Sequence, residues 1–225
     1  MARNPGRDVA RNQPARTAQP ATPPAQKSWL HQCVTWPVHE VLLSKEWDAE
    51  SAIITSVVAR KSPRSGKIAA ASYMVDLGCM GVKKAFVRIC KSPEDYERRM
   101  RTPLMEDHPM VPADFNLVAK IIAHGHAYAQ QLGIAPDPEF QQARLLLTGS
   151  QIDACPKRIP LGGPEGKPIF VARHNDDIER ILNQLARVVG PDGFYYMLPG
   201  DAEKQVFNAR LPGIRTEPAE PEATE

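Results

Sequence analysis

The chain has 225 residues, 42% of them hydrophobic and 24% charged, with a net charge of +2, which suits one globular domain with a sizeable core. No apolar run is long enough for a transmembrane helix, and no apolar stretch near the start resembles a secretory signal. Four scattered cysteines without a Cys-x-x-Cys pair are typical of reduced thiols, so the sequence predicts a cytoplasmic protein with no membrane partner.

Both ends of the chain have compositions typical of disorder. Residues 1–27 are rich in Ala, Pro, Arg and Gln, and they hold five Lys and Arg against one acid. Residues 213–225 contain the acidic run TEPAEPEATE. Such segments bury too little apolar surface to offset the entropy of ordering. The sequence therefore predicts a disordered basic head, a single domain over residues 28–212 and a disordered acidic tail.

The first half of the domain has the pattern of β-strands. Alternating or β-branched runs predict strands over residues 36–43, 52–59, 68–77 and 82–89. The turn residues SPRSG between the second and third strands predict a hairpin, and the fourth strand extends it into a meander. Small residues on both faces of the third strand indicate close cover on each side.

The second half has helix start and stop signals. Helices are predicted from residue 92, over residues 112–132 and 137–149, and from residue 175 to a Gly-Pro stop at 190. Short strands are predicted over 167–172 and 194–198. Gly125 falls on the apolar stripe of the longest helix and would let a neighbour approach closely. The predicted fold class is α+β, with about four helices packed on one face of a mainly antiparallel sheet.

The strongest functional signal is a run of positive charge. Residues 58–101 hold eleven Lys and Arg against four Asp and Glu. Basic groups on a sheet, helped by a basic head, suit sequence-independent contact with nucleic-acid phosphates, although a solvated face with ordinary ion pairs gives the same pattern. The leading hypothesis is a non-enzymatic accessory protein that contacts nucleic acid. The residues expected to bind phosphates are Arg60, Lys61, Arg64, Lys67, Lys83 and Lys84.

A second hypothesis is a small hydrolase or nuclease with its site in the loop of residues 76–84. Asp76 would act as general base or metal ligand, Cys79 as nucleophile, and Lys83 or Lys84 would stabilise developing negative charge. The simpler interpretations are that Asp76 caps a turn and that Cys79 is a small buried thiol. No partner carboxylate for Asp76 is identifiable, so the sequence predicts no metal site and no cofactor.

Two other motifs carry less weight, and a third hypothesis stays open. His124 and His126 would point about 200° apart on a helix, so they cannot chelate one metal. The GGPEGKP run at residues 162–168 lacks the spacing and the Ser or Thr of a P-loop and predicts a β-turn entering a strand. The third hypothesis is a protein–protein interaction module whose ends recruit a partner. The sequence does not predict an oligomeric state.

The segment VDLGCMGVKKAF at residues 75–86 fits the pattern Val-Asp-x-x-Cys-x-Gly-Val-Lys-x-Ala-Phe. It resembles a stretch found in a group of uncharacterised bacterial proteins, as do residues 125–140 and 162–176. The resemblance implies a bacterial cytoplasmic protein. It supplies no activity and no catalytic residues.

Overall fold

The computed structural model describes residues 30–49 and 53–198. The predictions for the head (1–27) and the acidic tail (213–225) lie outside the described residues. Within the two described ranges, no helix is long and apolar enough to cross a membrane.

The centre of the molecule is a five-stranded antiparallel sheet. Its strands are β1 (Val38–Ser44), β2 (Ile53–Lys61), β3 (Ile68–Asp76), β4 (Gly81–Cys90) and β5 (Met110–Pro112), in the order β4-β3-β2-β1-β5. The predicted meander of β2, β3 and β4 is therefore confirmed, and β1 extends it as a fourth antiparallel strand. The short β5, which pairs with β1, was not predicted. It has only three residues, follows Pro109 and ends at Pro112, so it gives no alternating pattern.

Helices follow the sheet, and two of them begin at the predicted caps, Ser92 and Asp177. The longest helix begins at residue 115 and not at the predicted 112, and the helix predicted over 137–149 is reduced to residues 140–143 and a 3₁₀ turn. Helix α1 (Pro93–Tyr96) starts after Ser92 and continues through a π-helical turn (Glu97–Arg101) into α2 (Thr102–Asp107). The longest helix, α3 (Phe115–Gln131), is capped by Asp114, whose side chain accepts a hydrogen bond from the Leu117 N–H. The remaining elements complete the chain order: α4 (Phe140–Ala143), 3₁₀ turns at Arg144–Leu147, Ile152–Ala154 and Pro164–Gly166, β6 (Ile169–Val171), α5 (Ile178–Val189) and β7 (Tyr195–Met197).

The largest core lies between α3 and one face of the sheet. Two glycines bring helix and sheet together at one point. A Cβ on Gly125 of α3 would lie 2.7 Å from Val75 Cγ1, and a Cβ on Gly81 of β4 would lie 2.7 Å from the Gly125 carbonyl oxygen. The close approach predicted for Gly125 is confirmed, and a larger side chain at either position would force helix and sheet apart.

The helices do not all pack on one face, and in this respect the predicted arrangement was wrong. The helical segment of residues 93–107 covers the opposite face of the sheet, where Tyr96 and Met100 are buried against Ala70 and Cys90. The small residues of β3 allow this two-sided cover, because neighbouring Ala69 and Ala70 point to opposite faces and both are buried.

This second face is covered along only part of its length. Near the β2–β3 turn it lies under the helical segment of residues 93–107, but further along β3 the side chains of Ser72 and Met74 are only half-buried. Phe86, the neighbour of Ser72 on β4, is 40% exposed. The sheet therefore carries a partly open face, where β3 and the edge strand β4 form one side of the cleft described below.

A smaller unit joins the sheet at the β3–β4 turn. Strands β6 and β7 are parallel and connected by α5, and Phe170, Leu185 and Phe194 form a separate core with Cys79 of the turn. The Ile169 N–H donates to the Gly78 carbonyl oxygen at 3.1 Å. This unit packs against one side of the turn, next to the predicted catalytic candidates Asp76, Cys79 and Lys83.

Candidate binding cleft

Arg60 is buried and its guanidinium is bonded within the fold, which argues against the predicted contact with a nucleic-acid phosphate. Only 5% of the residue is exposed, because Arg60 lies on the same face of β2 as the core positions Ser56 and Val58. Its guanidinium donates to four carbonyl oxygens. They belong to Val34, Trp36, Leu146 and Thr148. Arg60 is a structural residue that joins β2 to two separate segments of the chain.

The other predicted phosphate ligands do not form one surface. Arg64 is exposed in the β2–β3 turn, with Lys61 and Lys67 half-buried beside it. Lys83 and Lys84 lie at the opposite end of β3, next to the β3–β4 turn. A nine-residue strand separates its ends by about 27 Å, so the two groups cannot contact the same short stretch of ligand.

Asp76 caps the β3–β4 turn. Its residue is 2% exposed, and its Oδ1 accepts hydrogen bonds from the N–H groups of Cys79 at 2.9 Å and Met80 at 3.3 Å. Burial raises the pKa of this carboxyl above its ordinary value, while the N–H donors oppose the shift. Among the described residues, no group of three His, Cys, Asp or Glu side chains could hold a metal ion. The geometry matches the turn-capping interpretation.

The two other catalytic candidates are also occupied or inaccessible. Cys79 is fully buried, and burial together with the nearby Asp76 charge raises the pKa of its thiol well above the ordinary value, which opposes formation of a nucleophilic thiolate. Lys83 Nζ lies 2.8 Å from Asp176 Oδ2, and only 10% of the lysine side chain is exposed. Lys83 thus joins the sheet to the loop before α5.

Variants of Asp76 test whether this residue caps the turn. Asp76→Asn keeps an accepting oxygen and removes a buried charge, so we expect the free energy of unfolding at pH 7 to stay the same or rise by about 1 kcal/mol. Asp76→Ala leaves two N–H groups without an acceptor and should lower it by about 1–3 kcal/mol. Denaturant unfolding measures both, and a large loss in the asparagine variant would contradict the capping role.

The free energy of unfolding should also depend on pH, and the raised pKa of Asp76 sets the direction of this dependence. Between the ordinary pKa of Asp76 and its higher value in the folded chain, the folded state holds a proton that the unfolded state has lost. Wild-type stability should therefore fall as the pH rises through this window and level off above it. The asparagine variant should lack this fall.

The glycine run and the histidine pair serve the fold. The Gly162 N–H donates to the Leu77 carbonyl oxygen at 2.8 Å, and the Gly163 N–H donates to the Lys167 carbonyl oxygen at 2.7 Å, so these amides are not available to a phosphate. The run forms a tight turn that leads into β6, as predicted: the Gly166 N–H donates to the Gly163 carbonyl oxygen and the Lys167 N–H to the Pro164 carbonyl oxygen, both at 3.1 Å. On α3, the His126 ring packs edge-on against Phe140 at 4.9 Å between centroids.

The open part of the second sheet face forms a cleft of about 290 Å³. Its floor comes from β2, β3 and β4, one wall from the end of α2, and the opposite rim from the loop before α4. The side chains that face it include apolar, basic and acidic groups. They are Thr55, Ser72, Met74, Lys84, Phe86, Leu104, His108, Asp137 and Glu139. We refer to this set as the sheet cleft.

The charged groups of the sheet cleft do not neutralise one another. Lys84 is exposed, and no described residue lies within ion-pairing distance of it. Glu139 also has no side-chain partner among the described residues, although it lines the same cavity. Convergent unpaired polar groups beside apolar side chains such as Met74 and Phe86 are typical of a ligand-binding site.

An alternating row of two cations and an aromatic ring lies along β4 in the cleft and next to it. Lys84, Phe86 and Arg88 point to the same face, because they pair with Met74, Ser72 and Ala70 of β3. The Arg88 guanidinium carbon lies 5.0 Å from the centroid of the Phe86 ring. Its Nε is buried and has no hydrogen-bond partner within the described part of the chain. We refer to these three residues as the β4 row.

Of the six predicted phosphate ligands, only Lys84 lies in the sheet cleft. The β4 row was present in the sequence as Lys-x-Phe-x-Arg, the two-residue period of one strand face. His108, Asp137 and Glu139 gave no sequence signal, because they come from loops far from β4 along the chain. No protein-family model, curated protein or solved structure matches the chain. Its function is therefore inferred from the side chains of the cleft.

Proposed function

We propose that this protein is a non-enzymatic, cytoplasmic accessory protein that binds single-stranded nucleic acid in the sheet cleft. The observation that carries the proposal is the β4 row, in which the exposed Phe86 ring lies between the exposed Lys84 and the half-buried Arg88 on the partly open face of the sheet. Proteins that bind single strands combine basic groups along the backbone with aromatic rings on which bases stack. Phe86 would provide the stacking surface, and Lys84 would contact the adjoining phosphate.

The size of the sheet cleft favours a single strand over a duplex. A volume of about 290 Å³ lies at the lower end of the range for small-molecule sites, which suits one base and its sugar. A duplex would need a longer basic surface, and the basic groups at the two ends of β3 lie about 27 Å apart with mostly apolar sheet between them. The ligand would therefore contact one end of the sheet.

The two other hypotheses have less support. The hydrolase or nuclease hypothesis depended on Asp76, Cys79 and Lys83, whose polar groups are buried or already bonded. The interaction-module hypothesis depended on the head and tail, which lie outside the described residues. A binding site on the open sheet face depends on neither the head nor the tail.

A salt titration of binding to a fluorescent single-stranded oligonucleotide tests the proposal. The logarithm of the affinity should fall linearly with the logarithm of the salt concentration, and Lys84→Ala should flatten the slope by about 0.7 because one phosphate contact is lost. Phe86→Ala should weaken binding roughly 5- to 150-fold through lost stacking.

Arg64→Ala is the matched control for the titration. It removes one exposed cation from the opposite end of the sheet, so both affinity and slope should stay close to wild type. An affinity that does not change with salt would contradict the proposal. The same conclusion would follow if Arg64→Ala weakened binding as much as Lys84→Ala.

A further inference from the structure

The sheet cleft contains two carboxylates that a simple phosphate-binding surface would not need. Asp137 and Glu139 line the same cavity as Lys84 and Phe86. Both residues are half-buried, so part of each remains accessible to a ligand in the cleft. Carboxylates repel phosphates, and their position in this cleft therefore needs a different explanation from that of Lys84.

We infer that Asp137 and Glu139 read the base that stacks on Phe86, and that they select bases carrying an amino group over uracil and thymine. This inference rests on the proposed function and adds a base preference to it. Lys84 would hold the phosphate on one side, while the carboxylates would contact the edge of the base on the other.

The loop that carries the two carboxylates is fixed to the strand that carries Phe86. The Asp137 N–H donates to the Val82 carbonyl oxygen of β4 at 2.9 Å. Asp137 Oδ1 accepts a hydrogen bond from the Glu139 N–H at 2.8 Å, which holds the turn before α4 in shape. These bonds hold the backbone of the loop against β4 before any ligand arrives, which lowers the cost of ordering the site.

Each carboxylate keeps accepting oxygens for a ligand. In the described residues, Asp137 Oδ2 and both side-chain oxygens of Glu139 have no hydrogen-bond donor. An ionised carboxylate only accepts hydrogen bonds, so the complementary group must donate. The hydroxyl groups of Thr55 and Ser72 on the cleft floor either donate or accept and are compatible with any base.

Base chemistry then decides the preference. Cytosine and adenine present an amino group, and guanine presents an amino group beside a ring N–H, all of which donate to a carboxylate. Uracil and thymine present one ring N–H between two carbonyl oxygens, which neighbouring carboxylates repel. A well-formed contact of this kind discriminates between bases by roughly tenfold or more.

Equal-length oligo(dC) and oligo(dT) provide the test, because both are pyrimidines and differ mainly in the amino and carbonyl groups. The full chain should bind oligo(dC) about tenfold more tightly than oligo(dT) at the same salt concentration. The double variant Asp137→Asn, Glu139→Gln has amides of the same shape that both donate and accept. Its affinities for the two oligomers should agree within about threefold, mainly because oligo(dT) binds more tightly.

The outcomes separate the two proposals. Equal affinity of the wild type for both oligomers, or a preference that survives in the double variant, overturns the base preference and leaves the proposed function standing. No binding of either oligomer at low salt overturns both. If Asp137→Asn disturbs the turn before α4, as a lowered unfolding midpoint would reveal, Glu139→Gln alone should still reduce the preference, and an unchanged preference in that variant overturns the inference.

Discussion

Replacing Arg60 by methionine is expected to lower the free energy of unfolding by about 3–5 kcal/mol. The methionine fills most of the arginine volume, so the loss comes from hydrogen bonds and not from a cavity. The four carbonyl oxygens that accept from Arg60 would lose their donor at once. They belong to the segment before β1 and to the 3₁₀ turn after α4, which are far apart in sequence, so the variant should loosen both.

The surroundings of Arg60 explain why a buried cation is tolerated there. No carboxylate of the described residues pairs with it, and burial lowers the pKa of the guanidinium from its ordinary value. The four carbonyl dipoles and the Phe115 ring, whose centroid lies 5.4 Å from the guanidinium carbon, take the place of a counter-ion. Lysine has a single ammonium group and cannot reproduce this fork of donors, so Arg60→Lys should lose much of the same stability.

Thermal and urea unfolding measure the effect, with Arg64→Met as the matched control. A loss of this size corresponds to a fall in melting temperature of roughly 6–20 °C for a domain of this length. The exposed Arg64 should tolerate the same replacement within about 0.5 kcal/mol. Equal stabilities for the two variants would show that the hydrogen bonds of Arg60 contribute no more than a surface charge.

Gly81→Ala is expected to lower the free energy of unfolding by about 2–5 kcal/mol for two separate reasons. Gly81 has a φ angle of +60°, a region that costs L-residues about 1–2 kcal/mol. Its new Cβ would also lie 2.6 Å from Ala129 Cβ and 2.7 Å from the Gly125 carbonyl oxygen, both on α3. Overpacking of this kind typically costs a further 1–3 kcal/mol, because the helix backbone must move.

Gly66→Ala separates the two contributions. Gly66 has a similar φ of +68°, but a Cβ there meets no atom within 4 Å. The control variant should therefore show only the backbone cost of about 1–2 kcal/mol. Denaturant unfolding of both variants measures their losses in free energy of unfolding, and the difference is the cost of the close contact between β4 and α3. Equal losses would mean that α3 moves to accept the new Cβ at no cost.

Local patterns in the sequence were sufficient for most of the sheet. Alternation and turn chemistry predicted β2, β3 and β4 with their ends close to the observed ones, since each strand is long and its side chains alternate between the two faces of the sheet. The burial of Arg60 could also have been inferred from the sequence, because Arg60 continues the two-residue period of Ile54, Ser56 and Val58. Its charge suggested exposure, but the burial of a fully bonded arginine overrides that tendency.

The candidate site could not be predicted in the same way. The register shift beside Met74 lets neighbouring Lys83 and Lys84 take different roles, one bonded to Asp176 and the other directed into the cleft. Nothing in two adjacent lysines indicates such a bulge. The walls of the cleft depend on how the helical segment of residues 93–107 and the loop before α4 pack on the sheet, which is a tertiary property.

The attachment of β6, α5 and β7 has a consequence for the order of folding. The meander of β1 to β4 forms between neighbours in the chain, so closing its turns requires little loss of chain entropy. The bonds from Gly78 to Ile169 and from Lys83 to Asp176 each close a loop of about ninety residues. They also need a finished β3–β4 turn to attach to. We therefore expect the meander to form early and this small unit to dock late, with the β3–β4 turn as the template on which it assembles.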